Sequence, residues 1–368
     1  MKSKPERIAL FYSSLRGGGV ERSGLNLASG LRGRGYEVDL VLVNASGELL
    51  DQVPPGVRLV NLAAGRALLA LLPLIRYMRS AKPFAMLSAQ THNNIIAVWA
   101  RQLSLLRTRL VVSEHTYLSA VASNPGNTRA RMHPLAIRIF YPKADQIVAV
   151  SKGVAADLSL RTGISRERIQ VIYNPIVTPQ LFSLASESLA HPWFSPGQPQ
   201  VILAVGRLAL PKDYFTLLRA FAIIRQQRLA RLLILGEGRL RQSLEREVRQ
   251  LGLKEDISLP GFVANPYAYM ARAGVFALSS AWEGLSNVLV EAMACGAPVV
   301  STDCPSGPSE ILENGRYGRL TPVGDAPALA EAITATLDDP LPADVLRSRS
   351  LDFSVAHAVD SYIRVMLA

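Results

Sequence analysis

Cysteine is almost missing from this chain: of 368 residues only Cys295 and Cys304 carry a thiol. Their spacing is no metal-ligand pair, and a reducing, cytoplasmic setting is expected, with both thiols acting as small buried hydrophobes. Long apolar runs are missing too. Nothing approaches the ~18 uninterrupted apolar residues of a membrane span. The polar opening, Met1-Lys2-Ser3-Lys4-Pro5-Glu6-Arg7, has no secretory pattern. No Asp-x-Asp pair occurs. His92, His133, His191 and His357 stand outside any His/Cys/acid cluster of ligand spacing, so no metal site is expected. Aromatics make up 7% of the chain and do not interleave with its cations. This argues against nucleic-acid binding despite the net charge of +11.

What is present is apolar and uneven in charge. At 49% hydrophobic and 368 residues, the chain can bury two separate cores. Residues 1–180 hold 23 Lys/Arg against 10 Asp/Glu, whereas residues 181–368 hold 17 against 19. All of the positive excess therefore belongs to the first half and to whatever that half meets.

Apolar strands alternate with helical patterns along most of the chain. The first, Ile8–Tyr12, runs into Gly17-Gly18-Gly19 and a helix ending near Gly33-Arg34-Gly35. Strands are then expected at 38–43, 57–62, 84–88, 110–113 and 147–150. The rhythm stops at Tyr173-Asn174-Pro175, and a Pro- and Ser-rich segment, 176–199, reads as a linker. A fresh series follows at 201–205, 232–235, 257–259, 275–278 and 298–301. The fold expected is α/β, two Rossmann-like domains facing across a cleft. The first spans 1–175 and is completed by a C-terminal helix at 354–368; the second spans 200–353.

The most informative stretch is Ala281-Trp282-Glu283-Gly284-Leu285-Ser286-Asn287, continuing through Glu291 to Ala294. Glu283 is expected just before a helix, Ser286 or Asn287 at its cap, and Glu291 one to two turns inside. Free amides at a helix start bind phosphate, and flanking carboxylates suit hydroxyl-rich groups. Glu pairs on helices are commonly solvated surface; here both acids sit among small and apolar residues, where a carboxylate needs a partner.

Other candidates fall at strand ends. Gly17-Gly18-Gly19 lets backbone approach a diphosphate, though position 22 is Arg and the loop is not Gly-x-Gly-x-x-Gly; a plain turn fits equally. Arg207 and Lys212 can offset phosphate charge or be ordinary solvated cations. His115, beside Glu114 past an apolar strand, suits a polar ligand contact.

Together these residues resemble the retaining glycosyltransferases of family four, with the GT-B fold and a Glu-x7-Glu signature. Gly206-Arg207 with Lys212, Gly236-Glu237-Gly238, Gly261-Phe262-Val263 and Glu283/Glu291 carry the likeness in the second half. Asp303–Ile311 resembles a loop found in many members. The first half matches more loosely, through Gly17–Arg22, His115, Val150-Ser151 and Val171–Pro175. The resemblance implies that Arg207 and Lys212 hold a diphosphate with the amides near Leu285 and Ser286. It assigns ribose to Glu291, the base to the Val263 backbone, and the transferred sugar to Glu283 and His115. No metal or other cofactor is implied, in keeping with the missing Asp-x-Asp.

The function expected is transfer of a hexose or N-acetylhexosamine, with retention, from a nucleotide-sugar, UDP-linked by preference. The acceptor is a glycan or polyprenol-linked oligosaccharide in cell-surface polysaccharide assembly. A nucleotide-sugar epimerase of the same architecture and a GDP-mannose-dependent mannosyltransferase are the alternatives. The greasy, basic stretch Arg66–Lys82 reads either as an interfacial segment on an anionic membrane or as a packed helix with a basic outer face. The first reading implies a peripheral protein on the inner face of the cell membrane.

Overall fold

The computed structural model describes residues 6–122 and 132–367. It divides into two units, Met1–Ile176 with Ser354–Ala368, and Val177–Phe353. The first unit holds β1 (Arg7–Tyr12), β2 (Glu37–Leu42), β3 (Arg58–Asn61), β4 (Ala85–Ala89), β5 (Arg109–Glu114), β6 (Gln146–Ala149) and β7 (Ile169–Val171). They form one sheet in the order β3-β2-β1-β4-β5-β6-β7, with every pair parallel. The second holds β8 (Val201–Val205), β9 (Arg231–Leu235), β10 (Ile257–Gly261), β11 (Val275–Leu278), β12 (Val299–Thr302) and β13 (Arg319–Thr321). Their order is β10-β9-β8-β11-β12-β13, again wholly parallel. The α/β class and the two Rossmann-like units agree with the sequence reading.

The central strands are covered on both faces, which explains their unbroken apolar runs. Ile8, Leu10, Leu27 and Leu40 share a core in the first unit; Ile202, Phe221, Leu232 and Ile333 share another in the second. In each sheet the strand order reverses once, between β1 and β4 and between β8 and β11. Such switch points leave a crevice at the strands' carboxyl ends, where ligands of open α/β sheets bind.

The C-terminal helix, Val355–Leu367, turns Ala358, Val359, Tyr362, Val365 and Met366 inward, a 3.6-residue stripe. It packs on the helix Gly19–Gly33. Contact there is close: a Cβ on Gly30 would lie 2.4 Å from Val359 Cγ2.

The Pro-rich segment after Ile176 is partly helical rather than a plain linker. Thr178 caps Leu181 N–H at the start of the helix Pro179–Ser186, with proline in its first turn, a position that suits its missing N–H. Leu181 and Ala185 are buried, and the helix packs against Tyr267–Met270 and Asn287–Cys295. This part belongs to the second unit.

Candidate active site

Because β8 and β11 are neighbours, the loops that follow them meet, although about 70 residues separate them. Ala281 N–H donates to Pro211 O at 2.8 Å, and Ser279 Oγ donates to Lys212 O at 2.8 Å. Those bonds bring Lys212 Nζ within 2.5 Å of Glu283 Oε1. Ser280 Oγ donates to the same oxygen at 2.6 Å. On the other side of β8, Gly236 after β9 packs closely on Gly206. Its φ is +139°, and a Cβ there would lie 2.1 Å from Gly206 O.

Glu283 precedes the helix Asn287–Cys295, and Glu291 lies inside it. Ser286 occupies the cap position, yet its φ of 69° turns it left-handed and its side chain makes no capping bond. The buried Ser286 Oγ has no hydrogen-bond partner among the described residues. The helix therefore starts without a side-chain cap, and its positive end is open to an anion. The downstream loop braces this start. Ser306 Oγ donates to Gly284 O at 2.7 Å, and Thr302 Oγ1 donates to Ser280 O at 2.6 Å. Gly307, at φ +98°, admits Leu285 O where a Cβ would lie 2.5 Å away.

Glu291 is 8% exposed, and Tyr267 Oη stands 3.5 Å from its Oε1. Leu285 is buried and shapes the loop from inside. Arg207 is exposed, with no ion pair or hydrogen bond among the described residues. Val263, half-buried beside the exposed Phe262, follows β10. Burial first, and then Glu291 and Glu283 respectively, pushes the Cys295 and Cys304 thiols up to about 12. Both thiols stay protonated and serve as packing.

In the first unit, Gly17 (φ 80°) and Gly18 lead from β1 into the helix that Gly19 begins. Gly18 takes the cap position without a side chain to fill it. His115 follows β5. Its Nε2 lies 3.1 Å from Ser113 Oγ, and its buried Nδ1 has no hydrogen-bond partner among the described residues. Burial pushes its pKa down to about 4, so the imidazole is neutral at pH 7. Beneath it the fully buried Glu114 accepts from Tyr141 Oη at 2.7 Å, Thr91 Oγ1 at 2.9 Å, and the His115 and Thr116 amides at 3.1 Å. Burial raises the Glu114 pKa and these donors oppose that rise. The bonds fix the backbone that carries His115.

One residue set aside by its sequence context sits at the first unit's switch point. His92 opens the helix Thr91–Ser104 after β4, and its Nε2 lies 2.8 Å from Ser13 Oγ at the end of β1. Asn93 Nδ2 donates to Ser13 Oγ at 3.0 Å, and Gln90 Nε2 to Glu21 Oε1 at 3.3 Å. Gln90 holds φ at 75°, a strained value for a residue with a side chain. Burial and His133 lower the His92 pKa. The sequence signal was the polar Gln-Thr-His-Asn-Asn run directly after an apolar strand.

The candidate residues thus form two groups. Lys212, Glu283, Leu285, Ser286 and Glu291 meet at one loop-and-helix start, with Arg207 after the neighbouring β8 and Val263 after β10, two strands further along the sheet. Gly17–Gly19 and His115 lie at strand ends of the first unit. An open helix start between two carboxylates, with cations beside it, can hold a polyhydroxylated phosphate ester.

Two Rossmann-like units in series, the second bearing this loop-and-helix start, define the GT-B class of glycosyltransferases. The family model for glycosyltransferase family 4 matches residues 17–179, and that for group 1 glycosyl transferases matches residues 199–339. The chain belongs to this family. It is 31% identical over 349 residues to the Campylobacter jejuni N-acetylgalactosamine-N,N'-diacetylbacillosaminyl-diphospho-undecaprenol 4-alpha-N-acetylgalactosaminyltransferase, covering 91% of each chain. It is 28% identical to the Rhizobium meliloti lipopolysaccharide core biosynthesis glycosyltransferase LpsE, over 95% of this chain and 96% of that one. Anabaena HepE, solved with UDP and glucose, shares the fold with a TM-score of 0.77 and 22% identity, over 98% of this chain and 99% of that one.

Proposed function

We propose that the protein transfers a hexose or N-acetylhexosamine from a UDP-sugar, with retention of configuration, to a lipid-linked or cell-surface glycan. The observation that carries this reading is the Lys212–Glu283 pair beside the uncapped start of Asn287–Cys295, with Glu291 one turn further in. In this assignment Arg207 and Lys212 take up the charge of the leaving diphosphate, with no metal needed, and the helix-start amides assist them. Glu291 holds ribose hydroxyls, and the Val263 backbone meets the base. Glu283 contacts the transferred sugar, and the first unit's own candidates for ligand contact are the neutral His115 and Gly17–Gly19. The names of the relatives support a sugar-lipid or polysaccharide acceptor.

The switch-point group around His92 suits the acceptor's hydroxyls. It presents neutral donors and acceptors with one carboxylate. A nucleotide-sugar panel offered with and without polyprenol-linked glycans, read by NMR of the product anomer, tests the whole reading. An α-configured donor should yield an α-linked product only when acceptor is present. A β-linked product, or a donor epimerised without cleavage, would overturn it.

A further inference from the structure

Between Gln52 and Ala144 the chain carries twelve Lys/Arg and a single acid, Glu114. That one acid is fully buried. Among the described cations, Arg58 and Arg101 pair with Asp39 and Asp145 from outside the segment, whereas the face that carries Arg66, Arg76 and Arg79 holds no ion pair.

Apolar side chains share that face. The turn Ala67–Ala70 leads into the helix Leu71–Ala81, and Leu68, Leu69 and Leu72 are 62%, 64% and 63% exposed. The helix itself is packed. Leu74, Ile75, Tyr77 and Met78 point inward, so it cannot lie in a bilayer along its length. Its outer stripe is Leu72, Arg76 and Arg79, spaced by four and three residues. The guanidinium groups of Arg66 and Arg76 have no ion pair or hydrogen bond among the described residues, while Arg79 donates to Leu103 O at 2.9 Å. The helix Thr91–Ser104 packs on this helix and also on His133–Phe140. The latter exposes Leu135, Arg138 and Ile139 on its own outer side.

Exposed leucines singly are ordinary, but three within five positions, bordered by unpaired arginines, make a contact surface. We infer that this face docks on an anionic bilayer, the leucines entering the headgroup boundary and Arg66, Arg76 and Arg79 meeting lipid phosphates. A nucleic acid would satisfy the cations and leave the leucines in water. The inference rests on the proposed lipid-linked acceptor only for its purpose; the surface stands on its own geometry.

Flotation of the full chain with vesicles tests it. The parent should float with equal parts phosphatidylglycerol and phosphatidylcholine, not with phosphatidylcholine alone, and should be released as salt rises. Leu68→Ser/Leu69→Ser/Leu72→Ser should lower the bound fraction by about tenfold or more. Arg66→Gln/Arg76→Gln should give a smaller loss and a weaker salt dependence. Leu229→Ser, which alters an exposed leucine of the second unit, should float like the parent. UDP binding by all variants reports on the donor site and separates failure of the surface from failure of the transferase reading. Absence of parent flotation on anionic vesicles, retention on nucleic acid instead, or unchanged flotation of the leucine variant would overturn the inference.

Discussion

Lys212 Nζ lies 2.5 Å from Glu283 Oε1, with the two side chains 17% and 13% exposed. The lysine is thus already facing a carboxylate where the donor's diphosphate is proposed to arrive. A diphosphate approaching the Asn287–Cys295 start offers Lys212 a second anionic partner, and leaving-group charge peaks in the transition state. Lys212→Ala and Arg207→Ala are each expected to lower turnover on the order of a hundredfold, with little change in nucleoside affinity. Steady-state kinetics on folded variants check this; near-normal turnover in both would remove the leaving-group role.

Glu291→Ala should weaken UDP and UDP-sugar binding alike by about 1.5–3 kcal/mol, a tenfold to hundredfold loss. Since Glu291 is buried against Tyr267, the thermal midpoint should be measured beside calorimetric affinity. Tyr267→Phe should reproduce a small part of the binding loss. A Glu291→Ala protein with intact fold and unchanged UDP affinity would exclude Glu291 from the site.

His115 offers a test by pH. Burial lowers its pKa from 6.5 to about 4, so between those values the unfolded chain binds a proton that the folded protein refuses. Stability contributed by this group is therefore full above about pH 6.5 and falls as pH drops towards 4. His115→Gln should lose less stability than the parent across that window in denaturant titrations. Equal slopes would mean that the imidazole is accessible and titrates normally.

The strands that carry the site were legible because burial on both faces writes a plain apolar run, as in Ile8–Phe11 or Val201–Ala204. The strands β7 and β13 were not. Each has three residues and includes a polar one, Gln170 or Arg319, too little for a pattern to register. The first part of the expected linker failed for a different reason. Pro179 reads as a breaker, but with Thr178 before it the same residue starts a helix. Glu283 and Glu291 were placed correctly along the helix, yet the Lys212–Glu283 contact depends on β8 lying beside β11, a long-range pairing that no local pattern encodes. Ser286 or Asn287 was expected at the cap; Ser286 takes that position, but with its left-handed backbone its side chain makes no capping bond. His92 escaped because Ser13, its partner, is 79 residues away.

His92→Ala should raise the acceptor KM about tenfold, the worth of one lost hydrogen bond to a sugar hydroxyl, without altering UDP affinity. Ser13→Ala should act in the same direction through the lost 2.8 Å contact. An effect on UDP binding equal to that on acceptor KM would reassign His92 to the donor side.

The central claim is that the second unit's loop-and-helix start selects and cleaves a UDP-sugar. Purified protein offered UDP-, GDP- and ADP-hexoses and N-acetylhexosamines without acceptor should bind the UDP donors and slowly release UDP. Glu291→Ala should weaken all three classes alike and leave their order unchanged, because ribose is common to them. Tighter binding and faster cleavage of a GDP- or ADP-sugar, or binding of none of the three classes, would contradict it.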